Sequence, residues 1–349
     1  MPTKPVPLRQ LGKNGPDVPA LGFGLMGMSL PHYGTLENDE ERFKLLDRAV
    51  ELGATFWDSS DLYGDSEELL GKWFRRTGKR NDIFLATKFG IVAQKDLLKP
   101  RFDSSAKYCR ESCEKSLKAL GIDCIDLYYV HRVNPETSIE ETMRVLVELK
   151  NEGKIKHIGL CGVTSSTLRR ACKIHPVAAI QEEYSPFLLD IETDEGTHLL
   201  QTCRELGVAV VCYSPLGRGM LTSTFQNGAF GCDPGDARAK VFPRLMEENR
   251  DANQKLVAEF GALAAKKGCS TSQLALAWLL KQGQDVIPIP GTKKMKWLEQ
   301  NWAALDVVLS DEEEAEIRKF VESAGIVGDR TPPQFKEAGS LVDTKEEGT

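Results

Sequence analysis

Four ionisable side chains stand where three consecutive strand-like segments of this chain end. Asp58 and Tyr63 belong to FWDSSDLYG, Lys88 to ATKFG and His131 to LYYVHR. Taken alone, each has an ordinary structural role open to it, such as capping a helix or packing in a turn. A lysine inside an otherwise apolar strand, however, needs a carboxylate partner, and Asp58 is the candidate. Together the four residues predict an acid–base site at the carboxyl ends of the strands.

The elements that position these residues alternate between strand and helix. Short runs rich in β-branched and aromatic residues predict strands at 20–24, 54–60, 83–90, 125–132, 155–163, 178–185, 207–216 and 285–292. Helical periodicity predicts helices at 38–53, 66–76, 104–121, 138–153, 165 onward, 192–207, 251–268, 270–283 and 293–305. Several strands are continuous apolar runs, as expected where helices cover a parallel sheet. Eight such units predict an α/β fold, a (β/α)8 TIM barrel, ahead of an open doubly wound sheet.

The segments outside these units fit one barrel domain over residues 1–349, with a core of about 8–310. Residues 6–19 carry a turn signal at Asn14-Gly15 and predict a β-hairpin that caps the barrel floor. A longer segment, 217–250, interrupts the rhythm after the seventh strand. A charged helix at 309–324 precedes a polar tail at 325–349.

The composition of the chain disfavours nucleic acid, a membrane and a metal ion as partners. The chain has 349 residues and a net charge of −6 without a long basic block, which disfavours nucleic acid. No apolar run approaches the roughly 18 residues that span a membrane, and the N-terminus lacks the apolar core of a signal peptide. The nine cysteines include no C-x-x-C pair, so we expect no metal site, and reduced thiols in a cytoplasmic protein.

The string GFGLMG at 22–27 matches the G-x-G-x-x-G pattern of a Rossmann dinucleotide site. That site needs a helix directly after its glycines, because the helix N-terminus binds the pyrophosphate. Pro31 and Gly34 predict a loop there instead. Asp58 also lies about ten positions too late to be the ribose-binding carboxylate. The string therefore does not indicate a Rossmann site.

Six strings resemble one known family in type and order: FWDSSDLYG, FLATKFG, DLYYVHRVNPETSIEET, QEEYSP, VVCYSPLGRGMLT and IPGTKK. They are similar to the aldo-keto reductase superfamily, and most of all to its bacterial, fungal and plant aryl-aldehyde and pyridoxal reductases. The similarity runs from about residue 8 to 310. It implies a barrel that uses NADPH to reduce a small-molecule aldehyde or ketone, an alcohol dehydrogenase of the NADP⁺ type. It also implies a catalytic tetrad carried onto Asp58, Tyr63, Lys88 and His131.

The implied roles agree with the chemistry of these groups. Hydride arriving at a carbonyl carbon leaves an alkoxide, so an acid must deliver a proton, and Tyr63 takes that role. Tyrosine ordinarily titrates near 10, roughly three units too high for easy donation at neutral pH. We expect the Lys88 ammonium to lower the pKa of Tyr63, and Asp58 to keep Lys88 charged. His131 would donate a hydrogen bond to the carbonyl oxygen.

The resemblance also implies which residues hold the cofactor. Gly24, Leu25 and Met26 would lie beside the nicotinamide ribose, near Asp58 and Cys161. Gln181 would bond the carboxamide, and Tyr213 would stack on the nicotinamide ring. The remaining implied contacts are Ser214, Pro215, Leu216, Gly217 and Arg218 at the pyrophosphate, where 217–250 would fold over the cofactor, and Gly291, Thr292, Lys294, Gln300 and Asn301 around the adenosine.

Two positions depart from the family pattern. Cys161 and Gly162 follow the fifth strand, where the family commonly has Ser and then Asn or Glu reaching the carboxamide. Trp297 stands where an arginine often binds the 2′-phosphate, although Lys293 and Lys294 could supply charge. We expect NADPH, with NADH as the alternative.

The substrate pocket is the least readable part of the sequence. We expect the loop Ser29–Thr35 with His32 and Tyr33, residues near Val133, and segment 217–250 to line an apolar pocket suited to aryl carbonyls. The chain would be a monomer or weak homo-oligomer.

Two alternative functions stay open at this point. One is a nucleotide-binding regulatory subunit of the same fold, like the potassium-channel beta subunits. The other is a barrel isomerase or lyase.

Overall fold

The computed structural model describes residues 5–31, 33–92, 101–231, 233, 235–333 and 340–348. Its strands are β1 (Leu8–Gln10), β2 (Asp17–Pro19), β3 (Phe23–Gly24), β4 (Phe56–Asp58), β5 (Phe84–Phe89), β6 (Ile91–Val92), β7 (Arg101–Phe102), β8 (Ile125–Val130), β9 (Ile155–Cys161), β10 (Ala179–Glu183), β11 (Ala209–Tyr213) and β12 (Val286–Pro288). Its α-helices are α1 (Met26–Ser29), α2 (Asp39–Leu52), α3 (Ser66–Thr77), α4 (Ala106–Leu120), α5 (Ile139–Asn151), α6 (Ser165–Ile174), α7 (Leu199–Leu206), α8 (Ser223–Gln226), α9 (Arg238–Val241), α10 (Glu247–Lys267), α11 (Thr271–Lys281), α12 (Met295–Trp302) and α13 (Asp311–Ser323). Single 3₁₀ turns are at Lys79–Asp82, Asp190–Glu192, Asp194–Gly196, Gly217–Gly219, Pro243–Leu245 and Ala303–Asp306.

Eight parallel strands form one curled sheet in the order β3-β4-β5-β8-β9-β10-β11-β12. The first and last strands also meet, because Gly22 N donates to Pro288 O at 2.9 Å and Gly24 bridges to Gly291. The sheet is therefore a closed barrel, and the predicted (β/α)8 fold is confirmed. A Cβ at Gly24 would lie 2.8 Å from Ile289 O, so glycine permits this close approach of the two strands.

Side chains alternate between two apolar layers along each strand. Phe56, Leu127 and Val211 belong to the cluster inside the barrel. Trp57 belongs to the larger cluster between strands and helices, with its ring centroid 4.9 Å from that of Trp73. Because successive residues of a strand point to opposite faces, Asp58 follows Phe56 into the barrel interior.

The helix boundaries follow local signals with some corrections. Asn38 caps α2 by accepting a hydrogen bond from Glu41 N, and Gly53 ends that helix with φ of 84°. The helix predicted at 192–207 begins only at Leu199, since Thr197 and His198 have φ of 55° and 50°, outside helical conformation. Residues Met26–Ser29 form one helical turn, where a loop was predicted.

The predicted N-terminal hairpin closes the barrel floor. β1 and β2 pair antiparallel, with Arg9 opposite Val18. The Arg9 guanidinium donates to Val286 O and, at 2.5 Å, to Leu280 O. Leu11 lies in the interior cluster beside the strands. The hairpin therefore covers the amino-terminal ends of the strands and leaves the carboxyl ends for the site.

The polar C-terminal tail packs on the barrel. Val342 bridges to Val163 just after β9, and its N–H donates to Gly162 O at 3.0 Å. Asp343 accepts hydrogen bonds from Thr164 and Thr167 at the start of α6. In the part of the chain described, no helix is both long and apolar enough to cross a membrane.

Candidate active site

Three neighbouring strands bring the four candidate catalytic residues to the mouth of the barrel. Asp58 ends β4, Lys88 lies one residue before the end of β5, and His131 directly follows β8. β4, β5 and β8 are adjacent in the sheet. Tyr63 is in the turn between β4 and α3, where its N–H donates to Ser60 O at 3.1 Å.

Lys88 is fully buried and connects two members of the set. Its Nζ donates to Asp58 Oδ1 at 2.5 Å, to Ser59 O at 2.7 Å and to the Tyr63 hydroxyl at 3.4 Å. Burial alone would lower the pKa of Lys88, but the Asp58 carboxylate and Tyr63 outweigh it and raise that pKa. The ammonium form is therefore retained at neutral pH. Gln181 Nε2 donates to Asp58 Oδ2 at 2.7 Å and orients the carboxylate.

The acidity of Tyr63 differs from the sequence-based expectation. Burial raises the pKa of Tyr63 above its ordinary value, and Lys88 lowers it by less. Lys88 therefore lowers the pKa of Tyr63 as expected, but burial has the larger effect and the net direction is upward. The reason is that the phenol lies in a mostly dehydrated site, where desolvation penalises the phenolate.

His131 is half-buried and neutral. Burial lowers the pKa of His131 well below its ordinary value, and Lys88 and Arg132 add to this effect. Its Nδ1 lies 3.1 Å from Ser60 Oγ. The imidazole ring is nearly perpendicular to the Tyr63 ring, with centroids 5.9 Å apart. The two side chains therefore present polar atoms to the same space.

A cavity of about 570 Å³ opens above these groups. Tyr63, His131 and Asp58 are at its inner end, and Lys88 lies beneath it. Of the residues predicted to hold the cofactor, Gly217 does not line the cavity. Those that do are Gly24, Leu25, Met26, Asp58, Cys161, Gln181, Tyr213, Ser214, Pro215, Leu216, Arg218, Gly291, Thr292, Lys294, Gln300 and Asn301.

The outer end of the cavity is basic and aromatic. Lys293 donates to Thr35 O at 2.9 Å, and Lys294 pairs with Glu37 at 3.2 Å. Trp297 also lines this end, one turn into α12. The donor set fits a dinucleotide, because Tyr213 offers an aromatic ring and Lys293 and Lys294 offer ammonium groups for phosphate.

The expectation that residues near Val133 line the cavity is met by Arg132, to which the sequence assigned no role although it directly follows His131 in HR. Thr331 brings the C-terminal tail to the cavity. Val133 does not line it; this side chain is 2% exposed and packs in the outer core. His32 lies outside the described residues.

Comparison with known proteins agrees with this geometry. The model of the Aldo/keto reductase family matches residues 20–322. The aldo-keto reductase str7 of Strobilurus tenacellus is 47% identical over 98% of this chain and 99% of its own length. The aldo-keto reductase yakc [NADP(+)] of Schizosaccharomyces pombe is 45% identical over 97% of both. The solved glycerol dehydrogenase of Gluconobacter oxydans superposes with a TM-score of 0.78 at 25% identity, over 92% of this chain and 97% of that one.

Proposed function

The chain belongs to the aldo/keto reductase family, and from that premise we propose that it reduces an aldehyde or ketone to an alcohol with NADPH, using Tyr63 as the general acid. Membership makes it a carbonyl-reducing oxidoreductase with a nicotinamide cofactor. The assignment of Tyr63 as the acid rests on one observation. Lys88 is buried and hydrogen-bonds both Asp58 and Tyr63, and Tyr63 lines the cavity together with His131.

Each polar group of the site has one task in this proposal. A reduced nicotinamide supplies the hydride when it is bound. The Tyr63 hydroxyl donates its proton to the carbonyl oxygen, and Lys88, 3.4 Å from that hydroxyl, stabilises the phenolate that remains. Asp58 keeps Lys88 protonated. Neutral His131 lines the cavity beside Tyr63, and in this proposal its imidazole hydrogen-bonds the carbonyl oxygen and orients it.

The preference for NADPH rests on the basic outer end of the cavity. Lys293 and Lys294 are the candidates for the 2′-phosphate, and Trp297 offers a face for the adenine ring. Glu37 holds Lys294 at 3.2 Å and places a competing negative charge nearby. The relative that is named for NADP(+) supports the same choice. We expect a moderate preference for NADPH over NADH.

The substrate side of the cavity favours an apolar carbonyl compound. Leu30, Leu62 and Ile91 line it beside Tyr63 and His131. Aliphatic surfaces around two polar groups match a molecule with one carbonyl on a hydrophobic or aryl body. For the assembly and location we propose a monomer or weak homo-oligomer in the cytoplasm, which agrees with free thiols at all described cysteines.

The test compares the wild-type chain with Tyr63→Phe. We expect NADPH oxidation with aromatic aldehydes to fall at least about a hundredfold, because the proton donor is lost. The Kd for NADPH, measured by quenching of tryptophan fluorescence, should stay within about twofold of wild type. NADH is titrated in the same way to measure the preference.

Tyr108→Phe is the matched control, since Tyr108 lies outside the lining of the cavity and its loss should leave turnover unchanged. Full activity in Tyr63→Phe would exclude Tyr63 as the acid. Tight NADPH binding without turnover of any carbonyl compound would favour the regulatory-subunit alternative. Absence of nucleotide binding would favour a barrel isomerase or lyase.

A further inference from the structure

The glycine after β9 makes room for an arginine from the neighbouring strand. Gly162 has φ of +66°, and a Cβ added there would lie 2.9 Å from Arg132 Nη1 and 3.0 Å from Arg132 Cδ. Contacts as short as 3 Å are not made by real Cβ atoms without a shift of the neighbour. Arg132 therefore fills the space that a side chain at position 162 would occupy.

Arg132 is held in this space by groups from three strands, β8, β10 and β11. Its Nη1 donates to His131 O at 3.0 Å, next to the end of β8. The guanidinium hydrogen-bonds the Tyr213 side chain at the end of β11 and is attracted by Glu182 on β10. Glu182 is 4% exposed, and it accepts a hydrogen bond from Gly162 N. The buried carboxylate and the half-buried guanidinium each stabilise the charge of the other, so Glu182 fixes where Arg132 lies.

At the inner end of the cavity, few hydrogen-bond donors remain for the cofactor once Tyr63 and His131 are assigned to the substrate. Gln181 uses one N–H of its Nε2 on Asp58, and this orientation leaves its Oε1 as an acceptor for a ligand. Cys161 is a weak donor. Tyr63 and His131 are assigned to the substrate carbonyl in the proposed function. Arg132 lines the same cavity, and a guanidinium has five N–H donors.

We propose that Arg132 binds the carboxamide of the nicotinamide, donating to its carbonyl oxygen while Gln181 accepts from its NH₂ group. Gly162 leaves the space that Arg132 occupies, and Glu182 positions the Arg132 guanidinium. The inference rests on the proposed function for the identity of the ligand. In this arrangement Arg132 makes the carboxamide contact that the family commonly makes with the side chains at positions 161 and 162.

The test measures binding rather than turnover. Arg132→Met keeps the length of the side chain and removes its donors. We expect the Kd for NADPH to rise about tenfold to hundredfold, the range for losing a hydrogen bond from a charged donor. Adenosine 2′,5′-bisphosphate lacks the nicotinamide, so its Kd, measured by isothermal titration calorimetry, should be unchanged. Arg132→Lys should recover part of the affinity for NADPH.

A second pair of variants keeps the test valid if Arg132→Met folds poorly. Gly162→Ala should displace Arg132 and weaken NADPH selectively. Gly153→Ala is its matched control, with φ of +75° but no atom within 4 Å of an added Cβ. Gly153→Ala should lower the free energy of unfolding, because alanine is strained at positive φ, and should leave the Kd for NADPH unchanged.

Three results would overturn the inference. Equal weakening of NADPH and the bisphosphate would indicate general damage to the site. Unchanged NADPH affinity in Arg132→Met would exclude the carboxamide contact. A changed KM for the carbonyl compound, with both Kd values unchanged, would assign Arg132 to the substrate. Because the two Kd measurements need only a wild-type chain that binds NADPH, they remain decisive even if the proposed reduction is not observed.

Discussion

Asp61 lies three residues after Asp58 but has very different surroundings. Its backbone N–H donates to Lys88 O at 3.1 Å, and its carboxylate accepts from Ser60 Oγ at 3.3 Å. The pKa of Asp61 is raised to about 7, first by burial and then by the charge of Glu67, although Ser60 and the lysine charges act in the opposite direction. Whereas Asp58 is matched by an ammonium group at 2.5 Å, Asp61 is the carboxylate of this region that titrates near neutrality.

The raised pKa of Asp61 predicts a pH-dependent stability. The folded protein binds this proton more tightly than the unfolded chain, in which aspartate titrates near 3.9. The contribution is therefore complete below about pH 4 and is lost as the pH rises through about 7. Asp61→Asn removes the titration, so its free energy of unfolding should gain on the order of 2 kcal/mol relative to wild type between pH 5 and pH 8.

Urea unfolding at the two pH values measures this difference. Asp82→Asn, at an exposed position of the 3₁₀ turn before β5, is the control and should follow wild type at both. A parallel pH dependence in Asp61→Asn and wild type would show that Asp61 does not titrate in this range.

At the scale of the elements, Gly22 and Gly24 of GFGLMG lie where β3 pairs with the segment of β12 and closes the barrel. A Cβ at Gly22 would meet Ile289 Cγ2 at 2.7 Å and Phe56 Cδ1 at 3.0 Å, both in the interior cluster. Gly22 is not among the lining residues, whereas Gly24, Leu25 and Met26 are. The string is therefore a site of strand packing whose second half reaches the ligand cavity, and it is not a phosphate-binding turn.

Gly22→Ala should destabilise the barrel without weakening binding of phosphate. Overpacking of an interior contact costs about 1–3 kcal/mol, which urea unfolding would detect. The Kd for adenosine 2′,5′-bisphosphate should stay near the wild-type value. Gly27→Ala is the matched control, because an added Cβ there has no atom within 4 Å and α1 favours alanine over glycine. Loss of bisphosphate affinity in Gly22→Ala without loss of stability would contradict this assignment.

At the scale of the whole molecule, the C-terminal tail connects elements that are far apart in sequence. Thr344 is 5% exposed, and its Oγ1 accepts from Ile139 N at the start of α5. Lys345 N donates to Pro135 O at 2.8 Å. Arg170 on α6 donates to the carbonyl oxygens of Thr344 and Lys345, at 2.7 and 2.6 Å. The tail therefore fastens the starts of α5 and α6 beside Gly162, next to the cavity.

Deletion of residues 340–349 should lower the free energy of unfolding by about 3 kcal/mol, with about 1 kcal/mol for each of several buried hydrogen bonds. Urea unfolding of the shortened chain measures the loss. Arg144→Ala breaks only the exposed ion pair with Glu347 and serves as the control, with an expected change of at most about 0.5 kcal/mol. A shortened chain as stable as wild type would mean that these contacts do not hold the fold together.

The sequence by itself determined the barrel, its hairpin floor and the four residues at its mouth. These follow from local patterns: alternation placed Asp58 inside and Trp57 outside, and the apolar run around Lys88 required a partner of opposite charge. Strand and helix ends were less readable, as at Thr197 and His198, because backbone conformation there depends on neighbouring segments.

Only the tertiary structure decided the balance of forces at the site. The pKa of Tyr63 is raised because desolvation, which depends on every segment packed around it, outweighs Lys88. Arg132 fills the gap at Gly162 because β8, β9 and β10 are neighbours in the closed sheet, although the three positions are far apart in the chain. The tail reaches the cavity for the same reason. Local pattern specifies which groups a strand presents, whereas contacts between distant segments set their environment and therefore their chemistry.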